Sequence, residues 1–293
     1  MQRERRSDGD AAGRRTLRRG LRNLWRKFMG LDTLGLAAEL GFWYFYSIFP
    51  FLIFFIALTS FLPVADDPEK VLGLMQDALP PSVYQVVGPT LHDTLIRPKS
   101  WLAVGTLILA LWAASTAVSS LVSTLNRVYR VPETRPYWKR KGVALLLTGS
   151  LIIGCLVAFL FLVLAPVLTR YLAGRAHLEV DLHPFLQVLR PGVGVLVLVV
   201  SFAIIYRYAP DTRLTWRSVL PGSIVAMIGS FGVSRAFAYY LQNFAYYNRL
   251  YGTLGAVIAM MTWFYLVGLM VLLGGLVNSE FGRPGPGARS RGE

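Results

Sequence analysis

Apolar residues in this chain gather into long runs instead of the short alternating patterns of a water-soluble domain. The runs are Leu34 to about Leu62, Trp101–Leu125, Gly142–Leu168, Val193–Tyr208, Trp216–Tyr240 and Leu254 to about Phe281. The fourth is short unless it extends back toward Leu186. A helix of about 20 apolar residues crosses the ~30 Å hydrocarbon layer while satisfying its own backbone. The pattern therefore predicts an all-α, polytopic membrane protein with six transmembrane helices. They span about residues 34–62, 101–125, 142–168, 186–208, 216–240 and 254–281, inside a domain covering 31–282. Asp32 or Thr33 caps the first run. That run exceeds the layer, so it must tilt or bend; Pro50 is the bend, and Ser47 one turn earlier is placed to cover a freed backbone group.

Other periodicities flank these runs. Residues 1–15 are polar and Arg-rich, which predicts a disordered cytoplasmic arm. From Thr16, Leu17, Leu21, Leu24, Trp25 and Phe28 share one helical face, opposite Arg18, Arg19, Arg22, Arg26 and Lys27. Residues 1–30 thus form a basic arm and an interfacial helix, its cations turned to anionic headgroups. The outer loop 63–100 is too long for a plain connector. Val71, Leu72, Met75 and Leu79, then Val83, Val87, Leu91 and Leu95, predict two amphipathic helices there, as a packing lid or a gate. Small residues line helix two (Ser115, Ser119, Ser123) and helix five (Gly222, Ala226, Ser230, Ser234, Ala238) at i+4 spacing. Such stripes let backbones approach closely and let hydroxyls bond across helices; a polar conduit is the sharper alternative.

Charge gives the orientation. Ten of the 30 Lys and Arg lie in residues 1–27, six in 126–141, and three each in 207–217 and 283–293, against seven in the intervening loops. This bias is the positive-inside signature of an even number of spans with both termini cytoplasmic, residues 283–293 being a cytoplasmic tail. The chain is 54% hydrophobic and 16% charged, which agrees with a membrane class. Its net charge of +14 belongs to the membrane surface, with no nucleic-acid partner expected. One cysteine, Cys155, excludes an intramolecular disulfide and a CxxC metal site.

Dispersed motifs resemble the YihY/BrkB family of bacterial inner-membrane proteins. They are Tyr46-Ser47-Ile48-Phe49-Pro50, Leu111-Trp112, Leu125-Asn126-Arg127-Val128-Tyr129 with Val131-Pro132, and Trp216-Arg217 before Leu220-Pro221-Gly222. Then come Tyr247-Asn248, Tyr251-Gly252, Leu254-Gly255-Ala256, Trp263, Tyr265, Leu273-Gly274, Asn278 and Glu280. The likeness covers about residues 30–282. Glu39 stands where the family often has a small apolar residue. The resemblance implies a multi-pass protein of the bacterial plasma membrane. It brings three functional labels, namely ribonuclease, virulence factor and transporter.

The ribonuclease label meets no matching chemistry. Metal-assisted phosphodiester cleavage needs clustered carboxylates or histidines. His92, His177 and His183 fall in outer loops, and Glu133 and Asp211 read as isolated among arginines. No HxH, DxD, HExxH or Gly-rich nucleotide loop occurs, so neither an enzyme nor a cofactor is expected. The polar groups in or beside the spans are the candidates: Glu39, Ser47, Asn126, Arg127, Arg235, Tyr247, Asn248, Tyr251, Asn278 and Glu280, with Pro50 as the hinge. Arg235, in the outer half of helix five, either snorkels to the headgroups or attracts an anion in a cavity. Glu39 and Glu280 lie toward the cytoplasmic edge, where pairing with Arg127 or Arg207 is expected ahead of the alternative, proton coupling. Two functions fit these residues. One is transporter-like handling of a lipid or amphiphilic anion, with membrane lipids as partners; the other is a non-transporting envelope scaffold.

Overall fold

The computed structural model describes residues 20, 22–59, 69, 73, 100–176, 183–243 and 245–281. Among them there are seven helices and no strand. The first, α1, covers 22–30, and six long helices follow: α2 (Thr33–Thr59), α3 (Ser100–Tyr129), α4 (Tyr137–Ala176), α5 (His183–Tyr208), α6 (Trp216–Asn243) and α7 (Ala245–Phe281). The 1–19 arm, the tail and most of the outer loop, including its two expected amphipathic helices, lie outside the described residues.

Both candidate caps at the first helix junction are used. Asp32, at φ 48°, accepts the Gly35 amide at its Oδ1 (3.3 Å) and starts α2. The Thr33 hydroxyl turns back to the Phe28 carbonyl at 2.7 Å and closes α1. At the end of α3, Arg130 takes φ 56°, and the Val131 amide donates to the Asn126 carbonyl at 3.0 Å. This is a Schellman closure with arginine in the left-handed position usually given to glycine.

The six long helices pack in chain order as a ring: α2 on α3, α3 on α4, α4 on α5, α5 on α6 and α6 on α7. α7 then closes the ring on α2 and also touches α3. The buried core lies toward one end, built from Leu36 and Leu40, Val122 and Leu125, Leu147, Tyr206, Val219, Leu272 and Leu276. The exterior is apolar as well: Leu146 is 77% exposed, and Ile108, Ile153, Leu196 and Ile228 are at least 60% exposed. Such a surface is costly in water and matched to lipid. Three segments, Tyr137–Ala158, Trp216–Leu241 and Val257–Phe281, are long and apolar enough to cross a membrane.

The small-residue stripe of α6 is a packing seam over its inner half. A Cβ on Gly222 would land on the Gly274 carbonyl and the Asn278 amide, and one on Gly274 would meet the Tyr206 hydroxyl and the Gly222 carbonyl. Ala226 is fully buried, and Ser234 accepts the Trp263 indole N–H at 3.0 Å. The stripe of α3 differs from expectation. Ser115, Ser119 and Ser123 donate to carbonyls of their own helix, and Ser120 alone reaches another helix. A hydroxyl beside the i−3 or i−4 carbonyl has a partner already in place, which removes the need to cross.

Several boundaries move. α4 begins at Tyr137 and α5 at His183, so the short fourth run does extend backward. The stretch left between the fifth and sixth expected spans is helical from Ala245 onward, and Tyr247, Asn248 and Tyr251 sit on the opening turns of α7. The weak helix formers there are carried by the long apolar helix behind them. α2 runs unbroken through Pro50. Ser47 donates to the Tyr44 carbonyl at 3.0 Å, not to that of Tyr46, which is the one proline frees.

Candidate functional site

Polar contacts concentrate at the end of the ring where α1, the α3–α4 loop, the α5–α6 loop and the end of α7 meet. Pro132 and Pro136 stiffen the first loop and Pro210 the second, so few torsions remain to be fixed. Asn126, 4% exposed, links the two loops. Its Nδ2 donates to Glu133 at 2.8 Å, and its Oδ1 accepts the Asp211 amide at 2.8 Å. Arg135 makes a two-pronged contact with Glu133 (2.7 and 2.9 Å), donates to the Ala209 carbonyl at 2.9 Å, and lies 3.7 Å from Asp211. The Thr134 amide and hydroxyl both donate to Asp211, at 2.8 and 2.6 Å.

Glu133 and Asp211, expected to be isolated, therefore share one arginine. The spacing hid this because Thr134 and Asp211 are 77 residues apart in sequence. Hydrogen bonds from Arg135 hold the Glu133 carboxyl below its ordinary range against the cost of burial. Burial pushes Asp211 up, but the Thr134 hydrogen bonds and the Arg135 charge outweigh it and leave it low. The Glu133 contact in turn raises Arg135. Two carboxylates sharing one guanidinium, with Asn126 and Thr134 as further donors, form a structural clasp between the two loops. Among the described residues no group of three or more His, Cys, Asp or Glu is arranged to hold a metal.

A second node joins α6 to α7. Asn278, 3% exposed, accepts the Gly222 amide at 2.6 Å, one residue after Pro221 inside the helix. Tyr206 is fully buried and donates to the Val271 carbonyl at 2.6 Å. The Asn278 amide and the Tyr129 hydroxyl are buried next to each other beside this seam.

The expected arginine partners of the two glutamates are not the ones used. Glu280 pairs with Lys27 at 2.7 Å and accepts from Asn23 at 2.9 Å. Leu24 and Phe28 pack on the core, so α1 is docked against α7, and Lys27 faces protein where headgroups were expected. Glu39 accepts from the Ser120 hydroxyl at 2.9 Å. Arg127 is exposed. Arg207 donates to the Leu214 carbonyl at 2.8 Å and stacks over Trp216, with its carbon 4.7 Å from the ring centre. Arg235 lies exposed on a face of α6 with Ile228, Phe231 and Tyr239. The side-chain surroundings of Pro50, Tyr247, Asn248 and Tyr251 lie outside the described residues. Sequence reasoning missed Lys27 and Arg135 as organising residues. A basic residue in an apolar-flanked helix was the available signal for the first.

A helical ring with an apolar exterior and its polar contacts gathered at one end has the architecture of an integral membrane protein. A family model described as Virulence factor BrkB matches residues 24–291, and the chain belongs to that family. It is 36% identical over 263 residues to a ribonuclease-like protein, YfkH, of Bacillus subtilis (strain 168), covering 88% of this chain and 94% of the relative. A UPF0761 membrane protein of Alteromonas mediterranea is 29% identical over 248 residues, covering 80% and 78%. One of Xanthomonas campestris pv. campestris is 27% identical over 267 residues, which is 88% of this chain but 60% of that protein. No solved structure matches the chain.

Proposed function

We propose that this chain is a six-span protein of the bacterial plasma membrane, with both termini cytoplasmic, that moves a lipid or amphiphilic anion without a cofactor or ATP hydrolysis of its own. Helices α2 to α7 run from 26 to 40 residues, about 39 to 60 Å at 1.5 Å each, which suits one crossing apiece. The end that collects the clasp also carries Arg22, Arg26, Arg127, Arg130, Lys139, Arg140, Arg213 and Arg217, in keeping with a cytoplasmic face. Exposed Trp25, Trp138, Tyr208 and Trp216 at the same end suit a headgroup-level aromatic belt.

The observation that carries the transport reading is Arg235, a cation exposed on an otherwise apolar face of α6. A charge at that depth costs a few kcal/mol unless it meets an anion or water. An amphiphile offers both matching surfaces, an anionic head for the guanidinium and chains for Ile228 and Phe231. The clasped cytoplasmic end corresponds to the closed side of an alternating-access cycle. In reconstituted vesicles, Arg235→Ala should lower flux of a fluorescent anionic lipid about tenfold or more, and Arg235→Lys should retain most of it. An alanine variant that folds normally and keeps full flux would sink this reading. The interlocked α6–α7 seam favours a scaffold instead; in that case envelope defects of a deletion strain would be rescued by variants devoid of flux.

A further inference from the structure

Three of the acidic side chains at the basic end of the ring have a cation: Glu133 and Asp211 share Arg135, and Glu280 has Lys27. Glu39 is different. It sits about 10 Å along α2 from Asp32. Its carboxylate accepts from Ser120 at 2.9 Å, and among the described residues no cation reaches it. The charge inventory of the neighbouring helices explains why. α2 holds no other Asp, Glu, Lys, Arg or His; α3 has none before Arg127; α7 has none between Arg249 and Glu280. Arg127 is seven residues beyond Ser120, about 10 Å down the helix, and exposed. The remaining titratable groups nearby are tyrosines. Tyr265 backs onto Gly41, Tyr44 packs on Phe264, and Tyr46 stacks with Phe42.

Ser120 is equally particular. Every other α3 hydroxyl for which a bond is described donates to a carbonyl of its own helix, at Ser115, Thr116, Ser119, Ser123 and Thr124. Ser120 forgoes that bond and crosses to α2. The carboxylate therefore has one described neutral donor, apolar neighbours one turn away on α2 at Leu36, Phe42 and Trp43, and partial access to the outside. An ionised carboxylate in such a place is costly, its neutral form much less so, and one hydroxyl offsets only part of the difference.

We infer that Glu39, held by Ser120, is a proton-binding site within the first span, loading and releasing one proton where its fellow carboxylates stay permanently paired. Loading transfers a proton from hydronium to the carboxylate, breaking one hydronium O–H bond, forming one on Glu39 and leaving water; release is the reverse. The inference rests on the six-span reading above and supplies its coupling ion.

The test uses the full chain in phosphatidylethanolamine/phosphatidylglycerol liposomes treated with dicyclohexylcarbodiimide, which attacks protonated carboxyls in apolar surroundings, with adducts located by peptide mass spectrometry. The Glu39 adduct should be more than tenfold greater at about pH 5 than at about pH 9, while Glu133, Asp211 and Glu280 stay unlabelled. Ser120→Ala, which removes the carboxylate's one described donor, should change the yield of the Glu39 adduct at fixed pH. A Glu39 that is never labelled, or is labelled equally at every pH, overturns the inference. So does labelling suppressed by sodium at fixed pH, which marks a metal-cation site. In flux assays, Glu39→Gln should abolish the response to an imposed pH gradient. A wild type that carries no flux but keeps the pH-dependent adduct removes the amphiphile reading alone.

Discussion

Asn126 does with one amide what two charged side chains would otherwise do, donating to Glu133 and accepting from Asp211 across two loops. Asn126→Ala orphans the Asp211 amide and removes a donor from Glu133, at a cost of about 1–3 kcal/mol. Asn126→Asp should be worse, because it sets a carboxylate against Glu133. Thermal unfolding in detergent compares the two. The clasp also has a pH signature. Glu133 and Asp211 are both held below their unfolded values, so their stabilisation is complete above the unfolded pKa of ~4 and is lost as pH falls through the lower folded values. Acid titration of the wild type should show this loss, and the double variant Glu133→Gln, Asp211→Asn should show less of it. The motif pointed to Asn126 directly. The acids it serves were illegible, since spacing along a chain says nothing about which loops a ring brings together.

Two helices that touch backbone to backbone leave no room for a methyl group, and α6 and α7 do so at Gly222 and Gly274. Gly274→Ala should therefore destabilise the protein by about 1–3 kcal/mol through overpacking. Gly149→Ala on α4, where a Cβ would meet nothing within 4 Å, should be neutral or mildly stabilising through helix propensity. Chemical denaturation of the two variants side by side reads the difference. The stripe itself was legible because its i+4 period is written in one helix. Its partner, Gly274-Gly275, belongs to a second helix, and the match between them exists only after folding. Helix ends were legible where a cap or proline marks them, as at Asp32 and Trp216, and not where a helix simply runs on, as at Ala245.

At the scale of the whole molecule, apolar runs and charge bias carry the membrane class, because lipid imposes both directly on the sequence. Orientation has its own measurement. In a Cys155→Ser background, an impermeant maleimide should label Arg213→Cys from the cytoplasmic side only, and Glu69→Cys from the opposite side only, and both labels from one side would break the six-span count. Packing order carries a further consequence. The ring is closed by its first and last long helices, α2 on α7, and riveted by Lys27 on Glu280. Until α7 has been synthesised and inserted, Gly41 and Leu40 on α2 have no partner surface, and α1 has no carboxylate to hold it. A chain released early is thus an open arc with the α2 face of that seam uncovered. The finished ring carries the mark of its own completion in the last turn of its last helix.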